Sequence, residues 1–298
     1  MARTLDSPRN SDALTRRRLT LPLRYGTLRV LGLLGLALLS CRTIPETRTP
    51  QTTDKELAAG IVAHEKGNFH AALPHAQKAV ALAPKMIEAH LLLARIADDM
   101  CVPNLQPQPD ERSCRLAVQE YKTVLDLDAS HLDALKNLAY LLYQFNRLGE
   151  SESYYRRSLS VRADDPDGLC GVAAIDFRRA FPEVMAEKAR LNLKFDAPMI
   201  QLPSCTAMRD KHQARVDEGI ALVLKALRIG SDDPNLIGYL SALYQLRAEI
   251  QCGNKRAYQM DRNAARMWGL SGKQARTNDV PADFLQKCPA APPPPPDL

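Results

Sequence analysis

Aromatic side chains make up only 5% of this 298-residue chain, and there is one Trp. Long apolar runs are missing too. The longest, Val30–Leu39, has ten residues, too few for a helix that crosses a bilayer core, which needs about 20. No CxxC or CxxCH occurs, so zinc-ribbon and c-type haem sites lack their ligands. No GxSxG, Walker-type loop, HExxH or GxGxxG occurs either, which removes the common hydrolase, nucleotide, metalloprotease and dinucleotide signatures. The formal charge of +6 is also deceptive. Residues 1–40 hold seven Arg against two Asp, whereas the rest carries 33 basic and 32 acidic side chains. A near-neutral body has no global field for nucleic acid.

What is present begins with a leader. Arg16, Arg17, Arg18, Arg24 and Arg29 precede the short apolar run, which ends at Ser40 and Cys41. A basic region, a brief apolar stretch and a small residue at the cut are marks of an export signal. Leu38-Leu39-Ser40-Cys41 resembles a bacterial lipobox. That resemblance implies cleavage before Cys41, lipid on its thiol and an acyl chain on its new amine. Arg42 stands where Asp tends to hold such proteins at the inner membrane, so the expected address is the outer membrane, facing the periplasm. Residues 1–40 are thus expected to be a signal peptide. Residues 41–53 have two Pro and no periodicity, and are expected to be a flexible tether.

Setting Cys41 aside leaves Cys101, Cys114, Cys170, Cys205, Cys252 and Cys288. Six Cys in an exported chain fit three disulfides, with 15 possible connectivities. Neighbour pairing, 101–114, 170–205 and 252–288, is the simplest expectation. Buried free thiols are the alternative.

The body repeats itself. Leu127 and Val161 are 34 residues apart, and Val161 and Ile229 are 68 apart. Leu82 and Leu127 are separated by 45, one period with an insertion of 11. Ala72, Ala117 and Ser151 open similar apolar patterns. Leu91, Leu92, Leu93, Ile96 and Leu135, Leu138, Leu141, Leu142 recur at helical spacing. One such helix pair cannot bury its own stripe; stacked pairs bury one another's.

Gly60, Phe69, Ala72, Ala79 and Pro84 form a pattern that resembles the tetratricopeptide repeat. Leu138, Ala139, Leu142, Leu148, Ser151, Tyr155, Ser158 and Leu159 follow the same register. The family's early Trp is replaced by Glu56, His90 and Leu135. The resemblance implies an all-α, right-handed superhelix of about four to five helix pairs over residues 54–270. The pairs are expected near 54–83, 86–127, 131–162, 166–229 and 234–270, with insertions near 99–112 and 181–209. Within the fourth pair, helix A is expected to end near 180 and a separate helix to span 182–194. Residues 166–229 also fit two degenerate repeats. Helix B of the first pair is expected to start late because of Pro74. Residues 271–298, ending in five Pro, are expected to be a disordered tail.

Residues that bear chemistry are few. His64, His70, His75 and His90 lack the i, i+4 spacing of a metal site. Asp98 and Asp99 point apart on a helix and do not face one substrate. Asp164-Asp165-Pro166 and Asp232-Asp233-Pro234 suit helix N-caps followed by Pro at the first helical position. The basic segment Lys255–Arg276 suits a capping helix; contact with anionic lipid or an acidic partner is the alternative.

The family resemblance implies a binding surface on the inner face of the A helices. By register its residues are Leu57, Ile61, His64, Leu91, Arg95, Lys136, Tyr140, Tyr143, Phe177 and Arg178. Three cations among aromatics and aliphatics suit a segment with some acidic character. The expected function is therefore a non-enzymatic, lipid-anchored scaffold of the cell envelope that docks protein or peptide partners in envelope, secretion or pilus assembly. No catalytic residue, metal, cofactor, nucleic acid or small-molecule substrate is expected. A periplasmic chaperone or regulator for exported peptides is the alternative, and an enzyme subunit with a pocket in 181–209 is a further one.

Overall fold

A computed structural model describes residues 49–101, 111–194, 197–230 and 234–275, all within one compact unit, Glu46–Leu298. Cys41, Cys288, the signal segment, most of the 99–112 insertion and most of the Pro-rich tail lie outside the described residues. Those described form ten α-helices and no strand. The helices are α1 (Thr49–Glu65), α2 (Phe69–Leu82), α3 (Ile87–Asp99), α4 (Glu111–Leu127), α5 (Leu132–Gln144), α6 (Leu148–Val161), α7 (Pro166–Arg190), α8 (Pro203–Arg228), α9 (Pro234–Glu249) and α10 (Lys255–Ala275). Each packs on the next in chain order, and α1, α5 and α7 also touch α3, α7 and α9 respectively. That is a stack of five hairpins with odd-numbered A helices and even-numbered B helices.

Local chemistry sets many of the boundaries. Asn68 caps α2 by accepting from the Ala71 N–H at 3.2 Å, and Gly67 turns the chain at φ +70°, which costs a glycine little. Asp165 caps α7 by accepting from the Gly168 N–H at 2.9 Å, with Pro166 just inside. Small residues let hairpins close. Ala72, Ala117 and Ser151 are fully buried, and the Ser151 hydroxyl donates to the Ala139 carbonyl at 2.7 Å. The apolar stripes merge into staggered cores. One joins α1 to α3, the next α3 to α5, and the largest α5 to α9.

Several expectations change. The tether is shorter than 41–53, because α1 already starts at Thr49. Pro74 does not delay α2; it sits on an exposed face, where the ladder bond it removes costs least. Nor does Pro182 end α7, which runs on to Arg190. Val184 and Lys188 beyond it are buried, so packing carries the helix through an exposed Pro. Residues 166–229 are one enlarged pair rather than two repeats: α7 and α8 have 25 and 26 residues. α10 continues five residues past the expected limit of 270.

Disulfides fasten the irregular parts. Cys101–Cys114 closes the insertion, as neighbour pairing suggests. Cys205 pairs with Cys252, not Cys170, and ties the start of α8 to the α9–α10 turn. Neighbour pairing fails there because the enlarged hairpin folds against the last one. The Gly253 N–H donates to the Ile200 carbonyl at 2.8 Å at the same seam. Cys170 is also disulfide-bonded.

Candidate partner-binding groove

The A helices present equivalent positions side by side. Leu57 and His64, Leu91 and Asp98, Lys136 and Tyr143 are each seven residues apart, two turns along one helix face. On α1, Ile61 is 39% exposed, Leu57 is half-buried, and His64 lies 2.6 Å from the Asp99 carboxylate of α3. On α3, Leu91 is half-buried and the Arg95 guanidinium donates to Asp133 of α5 at 2.9 Å. On α5, Tyr140 is half-buried and its hydroxyl accepts from Gln144 at 2.7 Å. The inner positions of α1, α3 and α5 therefore keep accessible apolar surface.

Three expected surface residues do not. Lys136 is buried, and its ammonium reaches Asp167 at 2.7 Å and Asp165 at 3.2 Å. Burial pushes that ammonium down, but the two carboxylates outweigh burial and raise it. Tyr143 and Phe177 are each 8% exposed. The Tyr143 and Tyr239 hydroxyls meet at 3.4 Å, and Phe177 packs edge-on against Tyr239 and stacks on Phe181. These residues join A helices to one another because α7 and α9 curl onto α5. Arg178 lies over the Tyr143 ring, 4.5 Å from its centre, and donates to the Tyr143 carbonyl at 3.0 Å.

At the Trp positions the sequence names Glu56, His90 and Leu135 but not the partners of the two polar ones. His90 is buried with Nδ1 2.6 Å from Glu120 and Nε2 3.0 Å from the Pro84 carbonyl. Glu56 meets His75 at 2.7 Å and Lys78; those two bonds hold its carboxyl below the usual range. Polar pairs between helices thus fill sites where the family places an indole. Only the burial of one partner against another's charge reveals this, and no spacing in the sequence encodes it.

Asp98 does not share a face with its neighbour, as helix geometry requires. Its neighbour Asp99 does point away, to His64. Asp98 instead turns toward α4, where the Tyr121 hydroxyl donates to it at 3.1 Å. Burial pushes its carboxyl up to about 7; the Tyr121 bond opposes this and the nearby Asp99 charge adds to it.

A second charged network lies between α6, α7 and α8. Asp176 is fully buried, accepts from Arg215 at 2.9 Å through one oxygen, and has no hydrogen-bond partner at the other. Burial pushes this carboxyl to about 7 as well, with the Glu218 charge adding to the effect. Arg156 bridges Glu152 and Glu218 across the same helices. Among the described residues no group of three His, Cys, Asp or Glu is placed to hold a metal, and no helix is long and apolar enough to cross a membrane.

Residues 110–168 match the tetratricopeptide repeat model. The body has the tetratricopeptide-repeat fold. Among solved structures, MamA superposes with a TM-score of 0.50 at 14% identity, over 78% of this chain and 99% of that one. A second MamA structure gives 0.47 at 13% identity, over 72% and 96%. The pilF protein of Pseudomonas aeruginosa gives 0.43 at 16%, over 80% and 98%. At such identities the likeness concerns fold alone. No curated protein matches the chain by sequence.

Proposed function

We propose that this tetratricopeptide-fold protein is a non-enzymatic scaffold, anchored by lipid on Cys41 at the periplasmic side of the outer membrane, that docks a segment of a partner protein along α1, α3 and α5. One observation carries the docking half. Leu57 and Leu91 at one inner register, and Ile61 and Tyr140 one turn further on, leave apolar surface partly open on three consecutive A helices, while His64–Asp99 links α1 to α3 and Arg95–Asp133 links α3 to α5. A rigid apolar strip needs little reorganisation to receive a partner. The lipobox-like segment motivates the anchor. Two disulfides between described cysteines favour an oxidising compartment such as the periplasm.

Two experiments test this. Palmitate labelling is expected on the wild-type protein and not on Cys41→Ser; label that persists in the variant defeats the anchor. A photoreactive residue at Leu91 or Tyr140 is expected to crosslink a discrete partner in cells, and one at exposed Gln77 on α2 to give none. Equal crosslinking at both places defeats the groove.

A further inference from the structure

The charge of the groove differs from what its residue types suggest. Each cation named in the sequence is occupied within the fold. Lys136 is buried between Asp165 and Asp167. Arg95 is matched to Asp133. Arg178 is held on the ring and carbonyl of Tyr143 at α7, two A helices from α3. Among the described residues no cation is paired with Asp98. It accepts a hydrogen bond at 3.1 Å from an uncharged phenol, Tyr121.

The groups around Asp98 come from three helices. From α4 comes Tyr121, itself pushed up by burial and by the Asp98 charge, with Arg95 and Asn137 acting the other way. On α3 the near charges are Asp99, which His64 of α1 meets at 2.6 Å, and Arg95 one turn back, which is turned to Asp133. From α5 comes Tyr140, raised by burial with the Asp98 charge contributing. Asp98 is only half-buried, so solvent and a ligand can reach it. Exposed Glu65 and Glu88 occupy A-helix sites equivalent to Asp99 and Asp133, so the first two units of the groove are rich in negative charge. A partly desolvated carboxylate binds a cation more strongly than one in water.

Resting on the docking function proposed above, we infer that the partner segment presents a positively charged group, a Lys or Arg side chain, that docks against the solvent side of the Asp98 carboxylate, whose inner side is held by the buried Tyr121 hydroxyl. The acidic segment suggested by residue types alone is the wrong complement. Docking of a cation also favours the ionised carboxylate, so capture strengthens as pH rises through the range in which Asp98 loses its proton.

The test uses the full chain and random dodecapeptides displayed on phage, with photoreactive residues at Leu91 and Tyr140 to identify groove binders. Groove-crosslinking peptides are expected to be enriched in Lys or Arg. A synthetic Lys-bearing representative is expected to bind about tenfold or more weakly to Asp98→Asn, and to bind wild type more tightly at pH 8 than at pH 6. Asp98→Asn keeps an acceptor for Tyr121, so its fold is expected to persist, as circular dichroism checks. Peptides that crosslink in the groove but are acidic or neutral, or that bind Asp98→Asn as well as wild type, overturn the cation and leave the groove standing. If no selected peptide crosslinks at either position, the groove itself is refuted.

Discussion

At Gly171 on α7 the fourth hairpin presses against the ring of Tyr155 from the third. A methyl group placed there overlaps three atoms of the Tyr155 ring from α6. Tyr155 is fully buried, so its ring has no free space into which to rotate. Gly171→Ala therefore sets two effects against each other. Helix propensity alone gives Ala an advantage of about 1 kcal/mol. Overpacking a dense core costs about 1–3 kcal/mol, and overlap with three ring atoms belongs at the upper end. The expected net is a loss of about 2 kcal/mol. For a body of this size that lowers the melting temperature by about 4–8 °C. Gly149→Ala is the control, since the nearest atom to its added methyl is Arg179 Nη2 at 3.8 Å; it is expected to raise the melting temperature. The double variant Gly171→Ala, Tyr155→Leu is expected to be more stable than the sum of its single changes. Calorimetry and urea unfolding read the wild type, these three variants and Tyr155→Leu. If Gly171→Ala is stabilised as much as Gly149→Ala, the close α6–α7 contact is wrong, and with it the packing that brings Tyr143 and Phe177 together.

Further outcomes follow from the charged interior. Asp176 holds its proton to a higher pH when folded than when unfolded, so it lowers stability progressively as pH rises from about 4 to 7. The stability of Asp176→Asn relative to wild type is expected to rise across that window, by on the order of 4 kcal/mol between about pH 4 and pH 8, whatever its starting offset from the weakened Arg215 pair; a flat difference across pH in urea melts refutes this. Lys136→Met leaves Asp165 and Asp167 without their ammonium and is expected to cost about 2–4 kcal/mol, measured the same way. Replacing Cys205 and Cys252 by Ser opens a 47-residue connection. The expected loss is about 4 kcal/mol in the chain-entropy model, with faster amide exchange first at residues 249–258.

Much of the fold is legible in the chain because its information is local and periodic. Leu127, Val161 and Ile229 mark the repeat although each is at least 40% exposed; they end B helices, so their spacing carries the register even where they bury little. Asn68 and Asp165 act within their own turns, and the sequence places Asp165 correctly for that reason. Pairing across units is another matter. Cys205 finds Cys252 because an enlarged hairpin folds back over α9, which no spacing predicts.

The amino-acid sequence determined the helices, their period and the order in which they stack, because each depends on neighbours within a few turns. Which side chains remain free depends on contacts between units. Tertiary structure alone decided that Lys136, Tyr143 and Phe177 are buried between helices, and that half-buried Asp98 meets Tyr121 of the next helix. Burial and charge compensation depend on what comes from 20 to 100 residues away, and a linear pattern does not hold that information.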